Sequence, residues 1–197
     1  MQVVLATLNE KKCLELAPSL LPLGFDLISQ AQLSIPEAAE PYHSFVENAL
    51  AKARHAALAS GLAALADDSG ICVPALHGRP GVQSKHFAGE DAGDAANNQH
   101  LIKSLQAHSD RRAYFVSVLV FIRHADDPQP LIAQGTWWGE ILHTPRGANG
   151  FGYDPYFFDP TLNKTAAEMS LTEKNHISHR GQALVELIAQ FRQARLC

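Results

Sequence analysis

The chain has 197 residues, 46% of them apolar, with a formal charge of −4 and a pI near 6.2. That is enough apolar material for a single domain, residues 1–197, with a real core and room for two lobes around a cleft, and folding needs no metal or disulfide staple. The acidic balance excludes a nonspecific duplex binder and so a nucleic-acid polymer as partner, while Cys13, Cys72 and Cys197, an odd number without C-x-x-C spacing, exclude a disulfide framework or a zinc site and fit a reducing compartment.

Val3 to Thr7 reads as a short strand, and Asn9 then caps a helix carrying Leu14, Leu16 and Leu20, which Pro18 should kink or restart. Ser44-Phe45-Val46-Glu47 has capping-box spacing, and the alanine-rich helix it opens runs to Ser60 and stops at Gly61. Leu62 to Ala66 reads as a buried strand that delivers Asp67, Asp68 and Ser69 at its end. A turn or loop at Gly78 to Gly81 follows, then a helix over Ala92 to Ala107. Tyr114 to Arg123 and Leu131 to His143 are strands of a hairpin turning at Asp126-Asp127-Pro128. A Gly/Pro-rich excursion covers residues 144–163, and a terminal helix starts at Ser178 or His179 with Ala183, Leu184, Leu187, Ile188 and Phe191 as its apolar face. The start Met1 to Ala6 lacks a basic n-region, and the longest strongly apolar stretch, Ala113 to Ile122, is too short to cross a bilayer. A soluble cytoplasmic protein with no membrane partner is expected.

Three segments carry chemistry. Thr7, Asn9 and Lys12 place a hydroxyl, an amide and an ammonium at a helix start, where backbone N–H groups favour anions. The plainer alternative is that Asn9 only caps and Lys12 is solvated. Asp67-Asp68-Ser69-Gly70 sets adjacent acids after an apolar strand, which is unfavourable unless one pairs with a cation or metal. Asp68 could hold magnesium or take a proton from water, and Glu40 is the better second acid because Glu47 is engaged in capping; Lys52 faces the same place or solvent. An ordinary Asp-Ser-Gly turn is the competing possibility. Finally, Gly150 and Gly152 flank Phe151 and leave its ring open, just upstream of Lys174, His179 and Arg180. A flat ring and a cluster of cations are what a nucleotide requires. Trp137 and Trp138 are expected to pack in the core or at an interface.

Ala6 to Lys12, Ser44 to His55, Ala66 to Leu76 with Gly78 to Gly89, Gly150 to Pro155, and Ala167 to Ala183 occur in an order that resembles the non-canonical purine nucleoside triphosphate pyrophosphatases, also called inosine/xanthosine triphosphate pyrophosphatases, in their bacterial form. The resemblance implies an α/β fold with a long twisted mixed sheet flanked by helices, two lobes around a central active-site cleft, and a homodimer. It implies hydrolysis of ITP, dITP and XTP at the α–β phosphoanhydride with Mg2+, giving monophosphate and pyrophosphate and clearing deaminated purines from the nucleotide pool.

Carried over residue by residue, the resemblance implies that Thr7, Asn9, Lys12 and Lys52 hold the triphosphate. Asp68 is then general base and metal ligand, Glu40 a second acid near the metal, and Ser69 a substrate contact. The base lies against Phe151, with Gly152, Tyr153 and Asp154 shaping the pocket and Lys174, His179 and Arg180 contacting nucleotide. The chain departs from the family pattern at Leu8 and Lys11, where glycines are usual, and at His86, where arginine is usual. The alternatives are a related pyrophosphatase acting on other modified nucleotides and a nucleotide-binding protein that does not hydrolyse.

Overall fold

Short β-branched and aliphatic runs form the strands of one mixed sheet in the computed structural model, which describes residues 1–196. The elements are β1 (Gln2–Leu5), α1 (Glu10–Leu20), β2 (Asp26–Ser29), α2 (Phe45–Ser60), β3 (Ala63–Cys72), α3 (Asp94–Ser104), β4 (Arg112–Ile122), β5 (Leu131–Ile141), β6 (Phe157–Asp159), β7 (Lys164–Thr165), α4 (Leu171–Ile177) and α5 (His179–Gln193). The seven strands run in the order β2-β1-β3-β4-β5-β6-β7. At one end β1 pairs in parallel with β2 and β3, with α1 and α2 as the crossovers that parallel neighbours require. At the other end β5, β6 and β7 are antiparallel.

The chain forms two compact units. The first holds Met1–Asp68, Ser117–Gly135 and the chain from Arg180 onward. Its core is Val3, Leu5, Leu16, Leu20, Phe25, Leu65, Leu119, Phe121, Leu184, Leu187 and Phe191, with the Phe191 ring against Phe25 and Phe121. The second holds Ser69–Val116 and Thr136–His179, around Ile71, Leu101, Phe115, Trp137, Ile141, Phe157 and Met169.

Several boundaries differ from the sequence expectation for identifiable reasons. The helix α1 continues through Pro18 and only then tightens into a 3-10 turn at Leu21–Leu23. Three short elements inside or just after the Gly/Pro-rich region, β6, β7 and α4, are not foreseen because each is too short to show a period. The Ser44 hydroxyl accepts from the Glu47 N–H and donates to the Glu47 carboxylate at 2.6 Å, so the anticipated box closes on the side chain rather than on the Ser44 backbone. Trp137 is buried and donates to Asp159 at 2.8 Å, whereas Trp138 is 55% exposed and tilts against Tyr114. Asp127 closes the β4–β5 turn by accepting from the Arg123 guanidinium and from the Arg123 and Gln129 backbones. Cys13 and Cys72 are free thiols, and Cys197 lies outside the described residues.

The largest correction concerns the acids. β3 does not end at Ala66 but runs on to Cys72, so Asp67 and Asp68 lie in mid-strand, both buried, and Asp-Ser-Gly is extended chain rather than a turn. The expected strand end assumed that two charges cannot enter a sheet; here cations meet both.

Gly139 gives a direct test of the β5–β6 packing, since a Cβ there would overlap the Phe158 carbonyl and lie 2.7 Å from the Phe157 ring. Gly139→Ala is expected to lower unfolding stability by about 1–3 kcal/mol or more, read from urea denaturation midpoints.

Candidate functional site

In the first unit the site grows from a carboxylate that the sheet has buried. Asp67 accepts from Ser117 Oγ at 2.8 Å, from Arg180 Nε and Nη2 at 3.1 and 2.9 Å, and pairs with Lys12 Nζ at 3.0 Å. Arg180 Nη1 turns to Glu15 on α1. Burial alone would raise the Asp67 carboxyl, but the Arg180 and Lys12 charges outweigh it and hold the group far below the usual carboxylate range. Burial works against Arg180 too, and Asp67 with Glu15 more than restores its charge. Lys12 is the least secure cation of the set: burial pushes its ammonium down, Asp67 opposes that, and Arg180 and Lys52 add to the depression.

Asp68 has the opposite setting. Its Oδ1 accepts from Lys52 Nζ at 2.7 Å, and the same ammonium stands 3.3 Å from Glu40 Oε2. The other oxygen, Oδ2, is buried with no hydrogen-bond partner. Burial outweighs the Lys52 charge and pushes the Asp68 carboxyl up to about 6. On Lys52 burial is likewise the largest influence and downward, but Asp68 and Glu40 together raise it. Adjacent residues of one strand therefore carry a locked anion and a proton acceptor poised near neutrality.

At the start of α1 the Asn9 Oδ1 accepts from the Lys11 and Lys12 backbones, and the Asn9 N–H donates to Thr7 Oγ1 at 3.1 Å. Asn9 does cap, as the plainer alternative had it, but Lys12 is not solvated. Lys52 likewise leaves solvent for Asp68. Leu8 and Lys11, at the usual glycine positions, are exposed.

In the second unit the ring loop is built around Asp154. Its Oδ2 accepts from the Phe151 N–H at 2.9 Å and from Lys174 Nζ at 2.7 Å, and that ammonium stands 5.0 Å from the Phe151 ring centre. Gly150, at φ +76, presses so closely on the Asp154 carboxylate that a Cβ would collide with it, so only glycine fits. Tyr153 is buried and donates to the Ser84 carbonyl at 2.8 Å. His179 is buried with its ring stacked on Phe115, 4.7 Å between centres. Ser69 is half-buried in β3, and His86 Nδ1 lies 2.9 Å from the Glu90 carbonyl.

The first unit thus brings together Lys12, Lys52, Glu40, Asp68 and Arg180, and the second Phe151, Asp154 and Lys174. Sequence reasoning missed Glu15 and Ser117. Glu15 looks like any helix acid, and Ser117 sits unremarked in an apolar strand; a lone hydroxyl in such a run is the one signal that a buried polar partner exists.

A buried acid that stays ionised, a neighbour that titrates near neutrality, lysines beside both, and a ring with a cation over it define an α/β protein equipped for nucleotide phosphate chemistry. The Ham1 family model matches residues 3–190, and the chain belongs to that family. It is 57% identical over 195 residues to the dITP/XTP pyrophosphatase of Aromatoleum aromaticum, covering 99% of this chain and 98% of that protein. Against the dITP/XTP pyrophosphatase of Ralstonia nicotianae it is 56% identical over 194 residues, with 97% and 96% covered. Among solved structures, a HAM1 protein from Coxiella burnetii superposes with a TM-score of 0.92 at 46% identity, covering 98% of this chain and 99% of that one. The nucleoside-triphosphatase, dITP/XTP pyrophosphatase of Mycobacterium abscessus gives 0.71 at 37%, covering 98% of each.

Removing the Asp67 charge leaves Arg180 and Lys12 short of a partner, and Asp67→Asn is expected to lower stability by about 3–5 kcal/mol. Because folding depresses this carboxyl, its contribution is complete above the unfolded value of about 3.9 and is lost as pH falls from there toward the folded value. Denaturation midpoints of wild type and variant should stay well separated near neutral pH and converge in acid.

Proposed function

We propose that this protein hydrolyses ITP, dITP and XTP at the α–β phosphoanhydride, giving the nucleoside monophosphate and pyrophosphate and so removing deaminated purines from the nucleotide pool. The observation that carries the chemistry is Asp68: buried, raised to about 6, with one oxygen on Lys52 and the other without a hydrogen-bond partner. The substrate class follows from the relatives named dITP/XTP pyrophosphatase.

The residues present fit a magnesium ion. The unmatched Asp68 Oδ2 calls for a positive partner, Glu40 shares the Lys52 ammonium with Asp68, and among the described residues no group of three or more His, Cys, Asp or Glu could hold a metal. Two carboxylates suit a hard cation that keeps waters and takes phosphate oxygens as its other ligands. When bound by Asp68 and Glu40 it neutralises phosphate charge and makes a bound water more acidic.

Asp68 accepts the proton of the water that attacks the α-phosphorus in line. Thr7, Asn9, Lys12 and Lys52 hold the triphosphate and offset charge on the departing pyrophosphate. Phe151 offers its face to the base, Gly152, Tyr153 and Asp154 shape that loop, and Ser69 adds a polar contact. Lys174 and His179 supply donors suited to a 6-keto oxygen, which leave the 6-amino group of adenine unmatched. We give Arg180 the task of fixing Asp67, because its guanidinium is engaged by Asp67 and Glu15.

We further propose a homodimer in the cytoplasm. The exposed Trp138, tilted against Tyr114, is the aromatic surface that interfaces favour, the thiols of Cys13 and Cys72 are free, and among the described residues no helix is long and apolar enough to cross a membrane.

Product analysis on ITP with magnesium should give monophosphate and pyrophosphate, and chelator should abolish release. Binding without release would instead mean a nucleotide sensor, and faster turnover of thymidine or guanosine triphosphate a different house-cleaning substrate. Asp68→Asn should cut turnover by about 10²–10⁴-fold with an unchanged melting temperature. Since the base must be ionised and a bound cation favours its charged form, kcat/KM of the wild type should fall on the acid side of about 6, and that limb should vanish in the variant.

A further inference from the structure

We propose that Asp94 and Asn98, four residues apart at the start of α3, are positioning residues that aim the Phe151 ring. The proposal rests on the reading above in taking the Phe151 loop as the base site. The two side chains grip the backbone of one residue, Gly152, on either side of its Cα. Asp94 Oδ2 accepts from the Gly152 N–H at 2.7 Å, and Asn98 Nδ2 donates to the Gly152 carbonyl at 2.9 Å. These contacts span 58 and 54 residues of sequence, so they join separate segments rather than decorate one turn.

Two features distinguish this grip from ordinary packing. Asn98 is buried, and its Oδ1 has no hydrogen-bond partner. Its Nδ2 serves both the Asp94 and Gly152 carbonyls, so an amide flip would set oxygen against two oxygens, and the orientation is fixed. An unmatched buried acceptor is destabilising; the side chain is therefore held for what its Nδ2 does. Asp94, for its part, is exposed, and its bond to Gly152 adds little burial.

The effect on the ring follows from the backbone. Gly150 and Gly152 both have positive φ, +76 and +61, and glycine has many other conformations open to it. Phe151 lies between them. Its own N–H is on Asp154, and the residue after it is held by α3. Releasing Gly152 lets the ring lose its direction while the first unit's Asp68 and lysines are untouched, so the loss falls on base binding and not on the chemical step.

Asp94→Ala, Asp94→Asn and Asn98→Ala are to be compared with wild type for pyrophosphate release from dITP and dATP, melting temperature, and amide hydrogen exchange at Gly152. Asp94→Ala should raise KM for dITP about tenfold with kcat within about twofold, and erode the preference for dITP over dATP. Its Gly152 amide should exchange faster, and Asp94→Asn, which keeps an acceptor oxygen, should recover KM to within about twofold of wild type. Unchanged KM and preference in Asp94→Ala would overturn the proposal, as would a fall confined to kcat and melting temperature, or a failure of Asp94→Asn to rescue. Asn98 is buried, so a loss of folding in Asn98→Ala is set aside and the exposed Asp94 decides. If wild type binds dITP without releasing pyrophosphate, the functional reading fails, and the clamp is then judged by whether Asp94→Ala weakens dITP binding about tenfold in calorimetry.

Discussion

A negative charge in the middle of a β-sheet is tolerated only if the fold surrounds it with cations, and the arrangement of Asp67 meets that condition. Lys12 arrives from α1, Arg180 from α5 and the Ser117 hydroxyl from β4. Arg180 is itself anchored by a second carboxylate, Glu15 on α1. Once Asp67 is fixed, its strand neighbour Asp68 inherits a defined position without sharing the same neutralisation. The two acids are chemically alike and behave differently because Asp67 has Arg180 and Lys12 on one oxygen and the Ser117 hydroxyl on the other, whereas Asp68 has a single lysine and a bare oxygen.

Much of this was legible in the chain. The capped helix at Ser44, the strand pair around Asp127, the ring flanked by glycines and the terminal helix at His179 all follow from local rules that the structure obeys. What local rules could not give is the depth of the acids. Periodicity says that an apolar run stops at Ala66, and it does, but the backbone stays extended to Cys72 because partners distant in sequence make the charges acceptable. The same limit hid Glu15, Ser117, Asp94 and Asn98, whose importance lies wholly in contacts with remote segments.

The second unit uses the same logic with a different aim. Asp154 is a buried carboxylate neutralised by Lys174, and what it holds in place is a backbone N–H beside an aromatic face. In the first unit pairing tunes proton affinity; in the second it fixes direction. Both rely on ion pairs removed from water, where the partner's absence is far more damaging than at a surface.

The distance along the chain between Arg180 and Asp67, 113 residues, has a bearing on biosynthesis. A ribosome delivers β3 long before α5, so a growing chain holds Asp67 without the Arg180 guanidinium until α5 emerges. Assembly of the first unit therefore waits on synthesis of α5, and a fragment cut short before Arg180 would carry the acid-bearing strand without the counter-charge that lets it sit in a sheet.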